Sequence, residues 1–195
     1  MPDTLNHILS KTRKLVMLPI NLMRFQHFHY SATVRRCMRL TPRYISINKG
    51  VYIEKNCRIE AVTSYNAARF QPSIVFEDNV SVQQNFHLTC ACHIKIGKNT
   101  AIAANVTITD IHHPYEDVQI PIERQDIITR PVIIGEDCKI YNNVVVLPGV
   151  HIGKHCTIGA NSVVTQAIPD YSVAVGAPAQ VIKQYNFETE QWEKK

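Results

Sequence analysis

Two adjacent histidines, His112 and His113, are the side chains in this sequence best suited to proton transfer. An unperturbed imidazole has a pKa of about 6.5, so it takes up and releases a proton near neutral pH. Asp110 lies close enough along the chain to hold one imidazole in a single tautomer. Position alone favours ordinary surface histidines, so the elements and motifs around this pair must decide between the two interpretations.

The composition is that of one globular domain of ordinary size. The chain has 195 residues, of which 45% are hydrophobic and 19% are charged, a mixture that excludes disordered and collagen-like proteins. No apolar run approaches the ~20 residues of a membrane span, and none suits the core of a signal peptide. The six cysteines form no CxxC pair, which indicates reduced thiols in the core. We therefore predict a cytoplasmic location.

A repeat of six residues organises most of the chain. A period of six suits neither a 3.6-residue helix nor one long strand, but it suits short strands separated by turns, three to a coil. The pattern predicts an all-β fold, a parallel β-helix with the repeated residues inside. These residues are Phe76, Val82, Leu88, Ile96, Ile102, Ile108, Ile134, Ile140, Val146, Ile152, Ile158 and Val164.

Two interruptions break this period. Ile96 follows the preceding repeat residue, Leu88, by eight positions instead of six. Ile134 follows Ile108 by 26 positions. The second gap predicts an excursion loop over residues 109–131 that leaves the coil and returns to it. Long excursions from a compact domain tend to carry function, and this one contains the histidine pair.

The positive charge of the chain is concentrated at its start. Residues 1–40 carry seven basic and one acidic side chain, a net +6, whereas the rest carries 14 basic and 15 acidic side chains, a net −1. Helical spacing between Leu5 and Val16 predicts a basic helical segment over residues 1–44. Such a segment can pack on the body, approach an anionic substrate, or make peripheral contact with a membrane. No nucleic-acid-binding motif accompanies the charge, so nucleic acid is not an expected partner.

Six motifs lie within residues 45–183: Asn85-Phe86-His87-Leu88, Asn105-Val106-Thr107-Ile108, His113-Pro114, Tyr115-Glu116-Asp117, Ile158-Gly159-Ala160-Asn161 and Val175-Gly176-Ala177-Pro178-Ala179. These motifs resemble those of the hexapeptide-repeat acetyltransferases. In particular the chain resembles galactoside and maltose acetyltransferases and the O-acetyltransferases of bacterial surface polysaccharides. The resemblance implies that the β-helix is left-handed, and we expect the tail over residues 184–195 to form a short helix.

The resemblance also implies partners and site residues. It implies a homotrimer with acetyl-CoA, and no metal, in a groove between neighbouring β-helices. His113 is then the general base, with the sugar or glycan acceptor near Asn85, His112 and Asp110. The positions that match coenzyme-binding residues are Asn142, Ala160, Thr165, Gln166, Gln180 and Lys183.

These features predict an acetyl-CoA-dependent O-acetyltransferase acting on a sugar hydroxyl of a bacterial surface glycan or its precursor. The bulge Cys90-Ala91-Cys92-His93 lacks an acidic pair of the galactoside enzymes, which argues against a simple galactoside acceptor. Three alternatives stay open: N-acetylation of a nucleotide-linked amino sugar, a zinc-dependent γ-type carbonic anhydrase, and a non-catalytic scaffold. The basic segment suggests that, within the cytoplasm, the protein is located at the inner face of the membrane.

Overall fold

Six coils of short parallel strands form the body of the protein. The computed structural model describes residues 16–195, in which helix α1 spans residues 16–24. The helical spacing predicted from Leu5 lies outside the described residues, except for Val16 itself. No helix in the described range is long and apolar enough to cross a membrane.

Each coil gives one strand to each of three parallel sheets, here called faces A, B and C. Face A comprises β1 (His27–Phe28), β4 (Ile45–Ile47), β9 (Ser73–Phe76), β12 (His93–Ile96), β17 (Val132–Ile134) and β20 (His151–Ile152). Face B comprises β2 (Thr33–Val34), β5 (Tyr52–Ile53), β10 (Ser81–Val82), β13 (Ala101–Ile102), β18 (Lys139–Ile140) and β21 (Thr157–Ile158). Face C comprises β3 (Arg39–Leu40), β6 (Arg58–Ala61), β11 (His87–Cys90), β14 (Thr107–Thr109), β19 (Val145–Val146) and β22 (Val163–Val164). The expected left-handed parallel β-helix is confirmed.

The predicted repeat positions fill the interior of the coils. All twelve residues of the pattern, from Phe76 to Val164, are buried, and none is exposed by more than 1%. Successive coils stack them in register, as where Ile96 lies between Phe76 and Ile134. Full burial of such a side chain contributes roughly 1.5–3 kcal/mol, so the repeat itself stabilises the β-helix.

The β-helix begins earlier than the motifs indicate, so the boundary predicted at residue 45 is wrong. The first coil follows the same period of six. Because this coil lies at the end of the stack, Val34 and Leu40 are only half-buried. A weaker apolar pattern at an end coil is expected, because only one side of the coil has a neighbour. The first coil pairs in register with the second, as Phe28–Ile47, Val34–Ile53 and Leu40–Ile59.

The chain ends in a β-hairpin and not in the short helix expected over residues 184–195. Strand β23 (Ser172–Gly176) continues face B and pairs antiparallel with β24 (Ala179–Asn186), which pairs with β25 (Gln191–Lys194). Tyr185 and Trp192 lie directly opposite each other, with ring centroids 5.6 Å apart. Cross-strand aromatic pairs of this kind favour a hairpin.

All the irregular spacings fall at one corner of the β-helix, between face C and face A, here called the insertion corner. Inward residues are six positions apart at the other two corners of every coil. At the insertion corner the spacings are 7, 17, 8 and 26 positions after the first four coils, and six after the fifth. These spacings hold 3-10 turns at Pro42–Tyr44 and Ile122–Arg124, and the strands β7 (Ser64–Tyr65), β8 (Ala68–Arg69), β15 (Ile111–His112) and β16 (Ile128–Thr129).

Candidate active site

The insertion corner brings separate chain segments together around His113. The antiparallel strands β15 and β16 form the base of the excursion loop, with His112 opposite Ile128. His113 follows β15 directly and is exposed, so its imidazole is open to a substrate. A hairpin of β7 and β8, which leaves the β-helix two coils earlier, reaches the same loop.

Contacts between the hairpin and the excursion loop fix the positions of the residues around His113. The hydroxyl of Tyr65 donates to Glu123 Oε2 at 2.7 Å and lies 3.0 Å from the Glu123 carbonyl oxygen. Asn66 Nδ2 donates to the carbonyl oxygens of Glu123 and Gln125 at 3.3 and 3.2 Å. The ring of Tyr65 packs edge-on against the imidazole of His113, with centroids 5.2 Å apart. Tyr65 therefore links the loop and the candidate base.

Sequence reasoning missed both Tyr65 and Glu123. The 17 positions between Ile59 and Phe76 signal an insertion, but no residue type in it points to chemistry. The nearby Glu123 carboxylate, which accepts the hydrogen bond, raises the pKa of Tyr65. The tyrosine therefore stays protonated and remains a hydrogen-bond donor.

Asp110 does not contact an acceptor, because its side chain is fully buried under the adjacent bulge. Its Oδ1 accepts a hydrogen bond from the backbone N–H of Ala91 at 2.7 Å. Its Oδ2 accepts from the N–H groups of Cys92 and His93 at 2.8 and 2.9 Å, and from Cys90 Sγ at 3.2 Å. The predicted role at the acceptor is therefore wrong, and Asp110 is a structural residue that pins the bulge.

Asn85 occupies a turn between faces B and C, where its backbone is left-handed with φ of 60°. Its Nδ2 donates to Asn105 Oδ1 at 3.0 Å, and the same bond repeats from Asn105 to Asn143 and from Asn143 to Asn161. Asparagine tolerates this conformation better than most residues. The structure thus gives Asn85 a structural role in a ladder of turn asparagines, and its contact with the acceptor stays a prediction.

His112 differs from its neighbour in being half-buried. Its ring lies edge-on to Tyr115, with centroids 6.1 Å apart. Within residues 16–195, no three His, Cys, Asp or Glu side chains lie close enough together to bind a metal ion. Of the two adjacent histidines, His113 is the exposed one.

The six positions matched to coenzyme binding are all exposed, but the structure brings only some of them together. Asn142 and Ala160 occupy successive turns between faces B and C, where the Asn161 N–H donates to the Asn142 carbonyl at 2.9 Å. Gln180 pairs with Val175 on the hairpin near these turns. The others lie apart: Thr165 and Gln166 follow β22 at the insertion corner, and Lys183 lies further along β24.

Replacing Tyr65 with phenylalanine is expected to loosen the excursion loop, because it removes the hydroxyl that binds Glu123. Hydrogen exchange of the backbone amides in 122–125 should become severalfold faster, while exchange in the coil strands stays unchanged. Tyr115→Phe is the matched control, because that hydroxyl makes no hydrogen bond within the described part of the chain. Equal exchange in wild type and Tyr65→Phe would show that the hairpin does not hold the loop.

Comparison with known proteins connects the fold to a family. The sequence model described as bacterial transferase hexapeptide (six repeats) matches residues 131–166. A protein of Escherichia coli (strain K12) named as a lipopolysaccharide biosynthesis O-acetyl transferase, WbbJ, is 41% identical over 128 residues, which are 62% of this chain and 65% of that protein. The galactoside O-acetyltransferase of the same strain is 28% identical over 83% of this chain and 74% of its own length.

The fold also has solved counterparts. A mutant of AntD, an N-acyltransferase from Bacillus cereus, in complex with dTDP and coenzyme A, superposes with a TM-score of 0.71 at 18% identity. The superposition covers 88% of this chain and 90% of AntD. This likeness concerns the fold, and the chain spans less than two thirds of WbbJ. The repeats, the matching sequence model over residues 131–166 and these relatives together show that the chain is similar to the hexapeptide-repeat transferases.

Proposed function

We propose that the chain is an acetyl-CoA-dependent O-acetyltransferase that acts on a sugar hydroxyl of a bacterial surface glycan or its precursor. The observation that carries the proposal is the exposed imidazole of His113, packed against Tyr65 where the excursion loop leaves a rigid β-helix. The O-acetyltransferase names of WbbJ and of the galactoside enzyme support the reaction class. The acceptor is inferred from the same relatives.

His113 acts as the general base in this proposal. Its unprotonated nitrogen takes the proton from the acceptor hydroxyl, while the hydroxyl oxygen attacks the thioester carbonyl carbon. The tetrahedral intermediate collapses with cleavage of the carbon–sulfur bond, and the leaving thiolate takes the proton from the imidazolium. The products are an acetyl ester and a free thiol, so the histidine returns to its starting state.

The turns between faces B and C, together with the hairpin of β23 and β24, suit the arm of the co-substrate, which supplies the activated acetyl group. Ala160 and Ala177 have small side chains and are exposed, so backbone amides beside them are accessible to a ligand. Lys183 is an exposed cation that can pair with a phosphate. We further propose a homotrimer, in which a neighbouring β-helix covers these exposed positions and completes the groove.

A thermal-unfolding titration with acetyl-CoA tests the proposal without knowledge of the acceptor. Ligand at about 100 times its dissociation constant stabilises the native state by ~2.7 kcal/mol, which raises the melting temperature of a chain of this size by several degrees. Desulfo-coenzyme A with free acetate serves as a control for the thioester. A saturable shift supports the transferase, whereas no shift at millimolar acetyl-CoA would favour a non-catalytic scaffold.

A further inference from the structure

Helix α1 has an outward face that is apolar and that no residue within 16–195 covers. Seven of the nine residues described in this helix, 16–24, are apolar. Leu18 packs against the core at the open end of the first coil, which accounts for the inner face. The outward residues Val16, Ile20 and Met23 follow the spacing of one helix face and are 62%, 38% and 80% exposed. Surface helices normally turn polar side chains to water, so this face indicates contact with an apolar medium.

The same end of the β-helix carries uncompensated positive charge. Residues 16–53 contain five arginines and one lysine but no Asp or Glu. Two of these arginines are paired with acidic residues of the second coil. The other three, Arg24, Arg36 and Arg43, are exposed and form no ion pair within residues 16–195. Arg24 also lies four residues after Ile20, on the apolar face of the helix.

We propose that this end of the β-helix docks on an anionic lipid bilayer. The side chains of Val16, Ile20 and Met23 enter the boundary between headgroups and acyl chains, and the three free arginines lie among the lipid phosphates. We call these six side chains the base surface. Apolar burial and attraction to anionic lipid act together in such interfacial helices, and each reinforces the other. Docking is separate from acetyl transfer, because none of the six side chains lies in the excursion loop or in the hairpin of β7 and β8 that surrounds His113.

The charge of the base surface argues against a second copy of the chain as its occupant. A two-fold contact would place the same patch on both partners, so that arginines would face arginines. Like charges opposed across an interface disfavour association. A nucleic acid would neutralise the arginines but would leave the apolar side chains in water. An anionic bilayer satisfies both kinds of side chain.

Flotation with lipid vesicles tests the proposal directly. We expect the chain to float with vesicles of phosphatidylcholine and phosphatidylglycerol in equal parts and to stay behind with vesicles of phosphatidylcholine alone. Added salt should release it, because exposed charges are screened beyond about 10 Å at 0.1 M. The assay contains neither acetyl-CoA nor an acceptor, so its result is independent of the proposed activity.

Paired variants separate the two contributions. Ile20→Ser with Met23→Ser should lower the partition coefficient by at least about tenfold, since apolar burial is lost. Arg24→Gln with Arg36→Gln should lower it by about 30-fold, at roughly fivefold for each cation near an anionic surface.

The matched controls lie away from the base surface. Val118→Ser removes an apolar side chain that is 86% exposed on the excursion loop, and Lys98→Gln with Lys194→Gln removes two exposed cations; both should float like the wild type. Three results would overturn the proposal: no preference for anionic vesicles, equal losses in the controls, or a wild-type dimer that the Ile20 and Met23 changes dissociate.

Discussion

Replacing His113 with alanine should lower kcat by about 10²–10⁴-fold, the range that general base catalysis supplies. The acceptor hydroxyl is a poor nucleophile until its proton is removed, and the imidazole of His113 is exposed and packs against Tyr65. The substitution shortens an exposed side chain, so the melting temperature and its shift with acetyl-CoA should stay close to those of the wild type. The measurement is steady-state acetyl transfer to the acceptor found by screening sugars.

The matched control is His151→Ala, which removes an exposed histidine from face A, away from the loop. Its activity should be that of the wild type. A loss in His113→Ala below about tenfold, with coenzyme binding intact, would contradict the assignment of the base. That result would instead favour an amino-sugar acceptor, because an amine with a pKa near neutrality needs less help from a base.

Replacing Asp110 with alanine should destabilise the protein by about 3–5 kcal/mol. The change leaves the N–H groups of buried Ala91 and of half-buried Cys92 and His93 without their acceptor, and each such group costs about 1–3 kcal/mol when it is fully buried. The carbonyl of Asp110 also accepts the Arg130 N–H at 2.9 Å, which closes the base of the excursion loop. Chemical denaturation measures the loss, and the melting temperature should fall by roughly 10 °C.

Two further variants test the reason for this loss. Asp110→Asn keeps the shape of the side chain and one acceptor oxygen but turns an amide donor toward a backbone donor. It should therefore lower the free energy of unfolding by about half as much as Asp110→Ala does. Asp126→Ala removes an exposed carboxylate from the same loop and should change the free energy of unfolding by less than about 0.5 kcal/mol. If Asp110→Ala proved as stable as Asp126→Ala, the carboxylate would not pin the bulge.

The body of the fold was predictable because its signal repeats. A buried residue at every sixth position is reinforced from coil to coil, and all the positions named from the sequence are inside. The first coil and the terminal hairpin were missed for the same reason, since each lies at an end of the array where the pattern has one neighbour or none. Phe28, for example, is in register with the period of six, but its neighbours His27 and His29 are polar, so the repeat is hard to recognise there.

The site was predictable only in part. His113 lies in the excursion loop as expected, because the gap in the repeat between Ile108 and Ile134 predicted a loop that contains it. Burial could not be deduced for Asp110, because its partners are backbone N–H groups that have no sequence signature. The contact between Tyr65 and Glu123 joins residues 58 positions apart, and only the three-dimensional course of both insertions brings them together.

The insertion corner has a consequence for how such a chain diversifies. Insertions of 1, 11, 2 and 20 residues beyond the regular six leave from that corner, and yet the strands on either side keep their register. Coil stacking and surface recognition are therefore separable traits. A lineage can exchange the segments at this corner, and with them the surroundings of His113, without changing the packing of the interior. The β-helix is a constant scaffold, and changes of sequence at this corner carry little risk to its folding.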